Sequence, residues 1–361
     1  MTKTMTSKER VVCTLYHNEP DTVPIFEFLY SREFFKEVLG GVPDIYNAEA
    51  VIECSKKVGY DLCVIPFGGY GGISVMGSDT TVYQDEWQTT YKKDKASWPG
   101  DAPIAYPIKD RNDWANYILP DPKLDSRLDG VKTALKLSKE TKMAVFGNIR
   151  GPFSAACLLL GFENFCMKLY DDPELIDDIM SRITDFYIEG GTRMSELGVD
   201  AILFADDYGS SLSPLISPSQ FNKHILPQLK RLVDRFKRLG TPIIMHSDGN
   251  IRPLLDSIVS AGINGYHPIE RAAGMDISEI KQQFGKKLCL IGNINNKTTL
   301  VKGTVNDVVE EVRECIKIAA PGGGYILASD HSVHDDIPNE NIFAIYEAGR
   351  KYGKYPIKLS N

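Results

Sequence analysis

Three apolar runs in this chain end in residues that bind metals or move protons. In Ile243-Ile244-Met245-His246-Ser247-Asp248-Gly249-Asn250 a β-branched stretch delivers a histidine and a carboxylate, two residues apart, into a glycine turn. Side chains on an extended backbone alternate between faces, so this spacing aims both groups the same way. Tyr325-Ile326-Leu327-Ala328-Ser329 runs into Asp330-His331, and Ala201 to Ala205 runs into Asp206-Asp207. Imidazole nitrogen and carboxylate oxygen suit a divalent cation such as zinc. His246, Asp248 and His331 are therefore the predicted metal ligands, with Asp206 and Asp207 as acid/base or additional carboxylate groups. The same residues without a metal make a hydrogen-bonded acid/base cluster, and the pattern leaves both open. The chain has no His-x-x-x-His or Cys-x-x-Cys spacing, so such a site depends on distant strand ends meeting in space.

Other runs also end in polar groups. Glu27 lies within Pro24-Ile25-Phe26-Glu27-Phe28. A carboxyl there, if buried, must be paired, bound or catalytic, so it joins Asp206 and Asp207 as a predicted catalytic group; the structural alternative is an ion pair across the fold to Arg150. Asn148, Arg150, His267 and Asn293 close further runs and, with Phe26, Tyr30 and Tyr208, form the predicted substrate-binding set. His267, just before Pro268, reads as a positioned donor rather than a ligand. Phe28, Phe67 and Tyr70 are further aromatic candidates to hold a ring, although core packing is the default role of such side chains.

Groups so scattered need a scaffold that collects them. Apolar runs of four to seven residues recur at 23–28, 62–67, 143–149, 201–205, 242–246, 265–269, 288–291 and 324–328, most followed by amphipathic stretches such as 218–238, 276–284 and 305–319. Eight strands buried on both faces and alternating with helices predict an α/β fold of the (β/α)8 TIM-barrel type, in which catalytic groups come from the carboxyl ends of different strands; a doubly wound open sheet is the alternative. Residues 68–135 break the rhythm. Thr81-Val82-Tyr83 and Gln88-Thr89-Thr90-Tyr91 flank Asp85-Glu86-Trp87, with Pro99-Gly100 beyond, which predicts a hairpin-bearing insertion after the second strand, over one mouth of a single barrel domain spanning residues 1–361. Ser217-Pro218 is a helix cap followed by a first-turn proline.

Composition narrows the class. With 43% hydrophobic and 25% charged residues and a formal net charge of -7, the chain is expected to be globular and without a nucleic-acid partner. No apolar run reaches the roughly 18 residues of a membrane helix, and the polar start lacks a signal-peptide core, which predicts a cytoplasmic protein with no membrane partner. The seven cysteines are scattered and odd in number, as expected of reduced, buried thiols.

Lys8-Glu9-Arg10, Asn18-Glu19-Pro20-Asp21-Thr22-Val23-Pro24, Gly151-Pro152-Phe153, Ile216-Ser217-Pro218, His246-Ser247-Asp248-Gly249-Asn250, Gly292-Asn293, Gly322-Gly323-Gly324-Tyr325 and Pro338-Asn339-Glu340-Asn341 together resemble the uroporphyrinogen decarboxylase superfamily over nearly the whole chain. That superfamily contains decarboxylases and methyltransferases that serve corrinoid proteins. The decarboxylases carry an arginine-rich segment after the first strand, where this chain has Phe28-Leu29-Tyr30-Ser31-Arg32-Glu33 with one arginine. The methyltransferase branch is the better match. Its zinc motif, His-x-Cys with a distant cysteine, maps onto His246, Asp248 and His331, with both cysteines replaced. Imidazole and carboxylate ligands leave a more electrophilic ion than thiolates do, suited to polarising an ether oxygen. The resemblance thus implies the methyltransferase component of an O-demethylase, moving a methyl group from a methoxylated aromatic substrate to the cobalt of a separate corrinoid protein with zinc assistance. It also implies pairing as a homodimer. Methyl transfer from methylcobamide to a thiol, a porphyrinogen-type decarboxylation, and a non-catalytic tetrapyrrole- or corrinoid-binding barrel are the alternatives.

Overall fold

A computed structural model describes residues 4–43, 47–68, 74–75, 81–93 and 101–358; Tyr70 and Pro99-Gly100 lie outside them. In chain order the strands are β1 (Phe28–Leu29), β2 (Leu62–Pro66), β3 (Ser74–Val75), β4 (Val82–Asp85), β5 (Thr90–Lys92), β6 (Ala102–Ala105), β7 (Ala144–Arg150), β8 (Ala201–Ala205), β9 (Ile243–His246), β10 (Gly265–His267), β11 (Cys289–Ile294), β12 (Tyr325–Ser329) and β13 (Ser332–Val333). Seven of them form one sheet in the order β12-β11-β10-β9-β8-β7-β2, and every pairing in it is parallel. The segment around Ile25 joins the two edges. Phe26 N–H donates to Leu327 O and Leu327 N–H to Pro24 O on one side, while Asp61 N–H donates to Ile25 O on the other. The run at 23–28, first in chain order, is thus the remaining stave of the TIM barrel, but its ladder with β12 is short: Pro24 has no N–H to give, and the Glu27 carboxyl takes Ser329 N–H from the backbone. Only Phe28–Leu29 pairs as a strand, with Ser332–Val333.

The alternation expected of barrel strands is visible in which residues share a core. Phe26, Leu62, Phe146, Leu203, Ile244, Ile291 and Ile326 pack together inside the barrel, and the helix Ser7–Leu15 adds Val11 and Leu15 to the same cluster. Their odd-numbered or even-numbered neighbours, such as Ile25, Cys63, Val145, Ile202 and Met245, pack outward against the helices. Burying each such aliphatic or aromatic side chain contributes about 1.5–3 kcal/mol. The inward parity carried past the strand ends is what brings polar groups to the mouth.

The insertion folds as an antiparallel sheet in the order β3-β4-β5-β6, with Tyr83 opposite Tyr91 across the β4–β5 hairpin. The turn is fastened by Asp85, whose carboxylate accepts from Thr89 N–H (2.9 Å) and Tyr91 Oη (3.1 Å). The helix at 218 begins as its sequence predicts, with the Ser217 hydroxyl accepting from Gln220 N–H. Among the described residues no helix is long and apolar enough to cross a membrane.

Candidate functional site

A cavity of about 610 Å³ opens between the strand ends and the insertion. Its floor is built by period-two parity. Ala144 and Phe146 point into the barrel, so Asn148 and Arg150 on β7 reach the mouth; Ala201, Leu203 and Ala205 do the same for Asp207; Ile244 does so for His246 and Asp248. Arg150 is level with Ala205, and Ala205 with His246, in the sheet register. His331, just past β12, completes the rim. Aromatic side chains make the walls: Phe28, Tyr30 and Phe153 from the barrel, with Tyr83, Trp87 and Tyr91 from the insertion.

Within this cavity Asp207, His246 and Asp248 each present one ligand atom, all within 4.8 Å of one another. His246 Nε2 is 3.8 Å from Asp207 Oδ1 and 3.7 Å from Asp248 Oδ1. Asp248 Oδ1 is buried without a hydrogen-bond partner, whereas its other oxygen takes a 2.9 Å contact from His331 Nε2. An orphaned carboxylate oxygen facing an imidazole nitrogen at these separations fits a divalent cation with nitrogen and oxygen ligands. The turn that aims Asp248 depends on Gly249. It adopts φ 79°, and a Cβ there would sit 2.3 Å from the Gly209 carbonyl carbon.

The electrostatics follow from opposed charges at close range. Burial alone would raise the Asp248 carboxyl, but the imidazoles of His246 and His331 hold it well below the usual carboxylate range. Asp207 is half exposed at the cavity, and partial desolvation there together with the neighbouring Asp248 charge pushes its carboxyl upward. Burial would lower His331, yet its hydrogen bond to Asp248 and the charges of Asp248, Asp207 and Glu270 raise it to about 9. In the absence of a cation His331 is thus an imidazolium at neutral pH, aimed at the cavity rim.

The other sequence-predicted residues are not all in this cavity. Asp206, one residue out of phase with Asp207, points away from it: its carboxylate accepts from Ser154 N–H (2.6 Å) and Phe153 N–H (3.3 Å), at the start of the helix Pro152–Leu160, and from Tyr208 Oη (2.8 Å). Tyr208 is correspondingly fully buried. Glu27 is likewise out of phase with Phe26 and Phe28. It is buried against the end of β12, where Ser329 N–H donates to Oε1 (2.8 Å) and the Ser329 hydroxyl lies 2.5 Å from Oε2. No ion pair between Glu27 and Arg150 forms; Arg150 lies instead near Tyr91 and Asp85, and burial raises Asp85 to about 6. Asn293 is buried, with Nδ2 donating to Ile269 O (3.0 Å). Phe26 sits behind Phe28, with centroids 4.9 Å apart, and does not line the large cavity. His267 is buried beside His246, with its Nδ1 2.7 Å from His246 Nδ1. Tyr30 stacks on Phe28 at the rim, and Asn148 Oδ1 is buried without a partner. Arg32, the one arginine after the first strand, is tied to Asp335. The insertion's contribution, Asp85, Trp87 and Tyr91, has no sequence signal beyond the hairpin itself.

Comparison with known proteins agrees with this architecture. A methyltransferase from Methanosarcina mazei superposes with a TM-score of 0.73 at 20% identity, covering 96% of this chain and 99% of that one. By sequence, the methylcobamide:CoM methyltransferase MtaA of Methanosarcina barkeri is 26% identical over 63% of this chain, and the match spans 65% of that enzyme. MtbA of Methanosarcina acetivorans, another methylcobamide:CoM methyltransferase, is 25% identical over 68% of this chain and 69% of its own length. A uroporphyrinogen decarboxylase of an Anaeromyxobacter species is 24% identical over 71% of this chain and 73% of its own. Methyltransferases and decarboxylases thus both stand among the relatives. The family model for uroporphyrinogen decarboxylase (URO-D) matches residues 46–352, nearly all of the barrel, and the chain belongs to that family.

Proposed function

We propose that this protein is the substrate-side methyltransferase of an O-demethylase, taking a methyl group from a methoxylated aromatic compound for the cobalt of a separate corrinoid protein. The observation that carries this reading is the thiolate-free donor set Asp207, His246 and Asp248 at one end of a large aromatic-walled cavity. A divalent cation held there, zinc by its ligand chemistry, would supply Lewis acidity toward an ether oxygen. Phe28 and Tyr30, stacked on one another, give the substrate ring an apolar platform and keep water from it. Asn148 and Arg150 lie on the same face of β7 and offer an acceptor and a cationic donor to polar ring substituents. His331, whose Nε2 lies 2.9 Å from Asp248 at the cavity rim, can hold a proton there and pass it to the phenolate oxygen released when the methyl group departs. Asp206 and Glu27 act structurally in this scheme.

The names of the methylcobamide:CoM relatives favour a second reading, methyl transfer from methylcobamide to a thiol. The relevant chemistry differs at the ligands, because a carboxylate and imidazole set does not soften the cation toward a thiol as thiolate ligands do. The two are separated by measuring bound metal in the wild type and in His246→Ala, then assaying methoxyarenes with reduced corrinoid and, separately, methylcobamide with thiols. Near one zinc per chain, lost in the variant, with turnover of methoxyarenes only, is the expected result. Thiol methylation alone overturns the O-demethylase reading, and near-normal turnover by His246→Ala overturns the metal's role.

A further inference from the structure

His267 is buried, lies outside the cavity, and yet touches the centre of the site. We infer that His267 is a positioning residue that fixes His246 as the tautomer protonated on Nδ1, leaving the Nε2 lone pair for the cation. The inference rests on the metal reading above and adds a residue that acts through another.

The geometry begins with the sheet. His246 and His267 are register partners on β9 and β10, so their side chains leave the sheet on the same side. The rings lie 4.9 Å apart by centroid at 25° to one another, and their Nδ1 atoms are separated by 2.7 Å. Two imidazole nitrogens at that distance share one hydrogen, so one ring donates and the other accepts. The far nitrogen of His246 decides which. Its Nε2 faces Asp207 Oδ1 at 3.8 Å and Asp248 Oδ1 at 3.7 Å, too far to donate a hydrogen bond to either, but with room for an ion about 2 Å from each ligand. Nε2 is therefore the ligand atom, the His246 hydrogen resides on Nδ1, and His267 must accept it. An accepting His267 is neutral and carries its own hydrogen on Nε2. That atom is buried without a partner, on a ring whose centroid lies 6.0 and 5.3 Å from those of Phe26 and Phe28. This apolar enclosure, with no partner for a second charge-bearing N–H, favours the neutral ring. An imidazolium here would present an N–H to the His246 N–H and break the arrangement.

The test uses three variants of the full chain. His267→Asn places a carbonyl oxygen where Nδ1 stood and keeps an acceptor for His246. His267→Leu fills the space without one. His267→Gln carries its oxygen further out, at the Nε2 position. Zinc affinity is measured by chelator competition, cobalt(II) absorption reports ligand geometry, and thermal melting without metal reports folding. Loss of the acceptor should weaken zinc binding about 10–100-fold in Leu, with altered cobalt(II) bands, while Asn stays within about threefold of wild type. If Leu does not fold, Gln takes its place in the comparison. Wild-type affinity in Leu or Gln, or an Asn variant as weak as Leu, overturns the positioning role while leaving the metal site standing. A wild type that binds neither zinc nor cobalt overturns both.

Discussion

Replacing Glu27 with glutamine should make this protein more stable, and increasingly so as pH rises. The reason lies in a count of hydrogens. The Ser329 hydroxyl is 2.7 Å from His331 O, which can only accept, and 2.5 Å from Glu27 Oε2. Ser329 has one hydroxyl hydrogen, and if it goes to the carbonyl, the contact with Glu27 needs a proton on the carboxyl. Glu27 Oε1 meanwhile accepts from Ser329 N–H. A neutral acid satisfies every member of this network, and burial raises Glu27 from 4.5 to about 8, against the smaller opposing effect of the Ser329 hydrogen bonds. The folded state then binds a proton between those values that the unfolded chain has released, so stability falls as pH rises through that window. Each pH unit costs about 1.4 kcal/mol, and the full interval gives an upper bound of about 5 kcal/mol. Glutamine reproduces the neutral acid, its carbonyl accepting from Ser329 N–H and its amide donating to the hydroxyl, with nothing to ionise. Unfolding free energies from urea titration of wild type and Glu27→Gln should nearly coincide near pH 5 and diverge by several kcal/mol near pH 8 to 9, with glutamine the more stable. A difference independent of pH, or a less stable glutamine variant at pH 9, would refute the argument.

The site makes its own predictions. Without a cation His331 should titrate near 9 by NMR and fall when added zinc takes up the Asp248 charge, and a value that zinc does not move would separate His331 from the site; His331→Gln should lose most of the methyl-transfer rate, and a near-normal rate would remove His331 as proton donor. Arg150→Met should raise KM for methoxyarenes by about tenfold, with bound metal unaltered and kcat changed less, and an unchanged KM would take Arg150 off the substrate. At Gly151 a Cβ would lie 2.1 Å from Asp206 Cγ, so Gly151→Ala should lose roughly 3 kcal/mol in thermal or urea unfolding by displacing Asp206 from the helix start.

How far the sequence carries depends on what kind of information each residue needs. The barrel was legible because its strands are buried on both faces and therefore apolar throughout, a property of local composition. The first stave shows the limit: its apolar run is correct, but Pro24 and the Glu27 carboxyl, which takes Ser329 N–H, leave a single bridge at Ile25 and a two-residue pairing at Phe28–Leu29. The candidate ligands His246 and Asp248 were legible for a similar reason, since a spacing of two fixes a common face. The same rule separates residues that composition cannot. Asp206 and Asp207 are adjacent and chemically identical, yet parity sends Asp207 to the cavity and Asp206 to a helix N-terminus; Glu27 and Phe28 divide in the same way. Parity read from Ala201, Leu203 and Ala205, or from Phe26, would have sorted both pairs without a structure. It does not reach His267. That residue's partner lies 21 positions away on a neighbouring strand, and its meaning comes from register between β9 and β10. Nor does it reach Asp85, Trp87 and Tyr91, which enter the cavity because the insertion folds back over the mouth. The candidate ligands are thus set by alternation along single strands, while the groups that touch and enclose them are set by pairing between elements. Only the first kind is written locally in the chain.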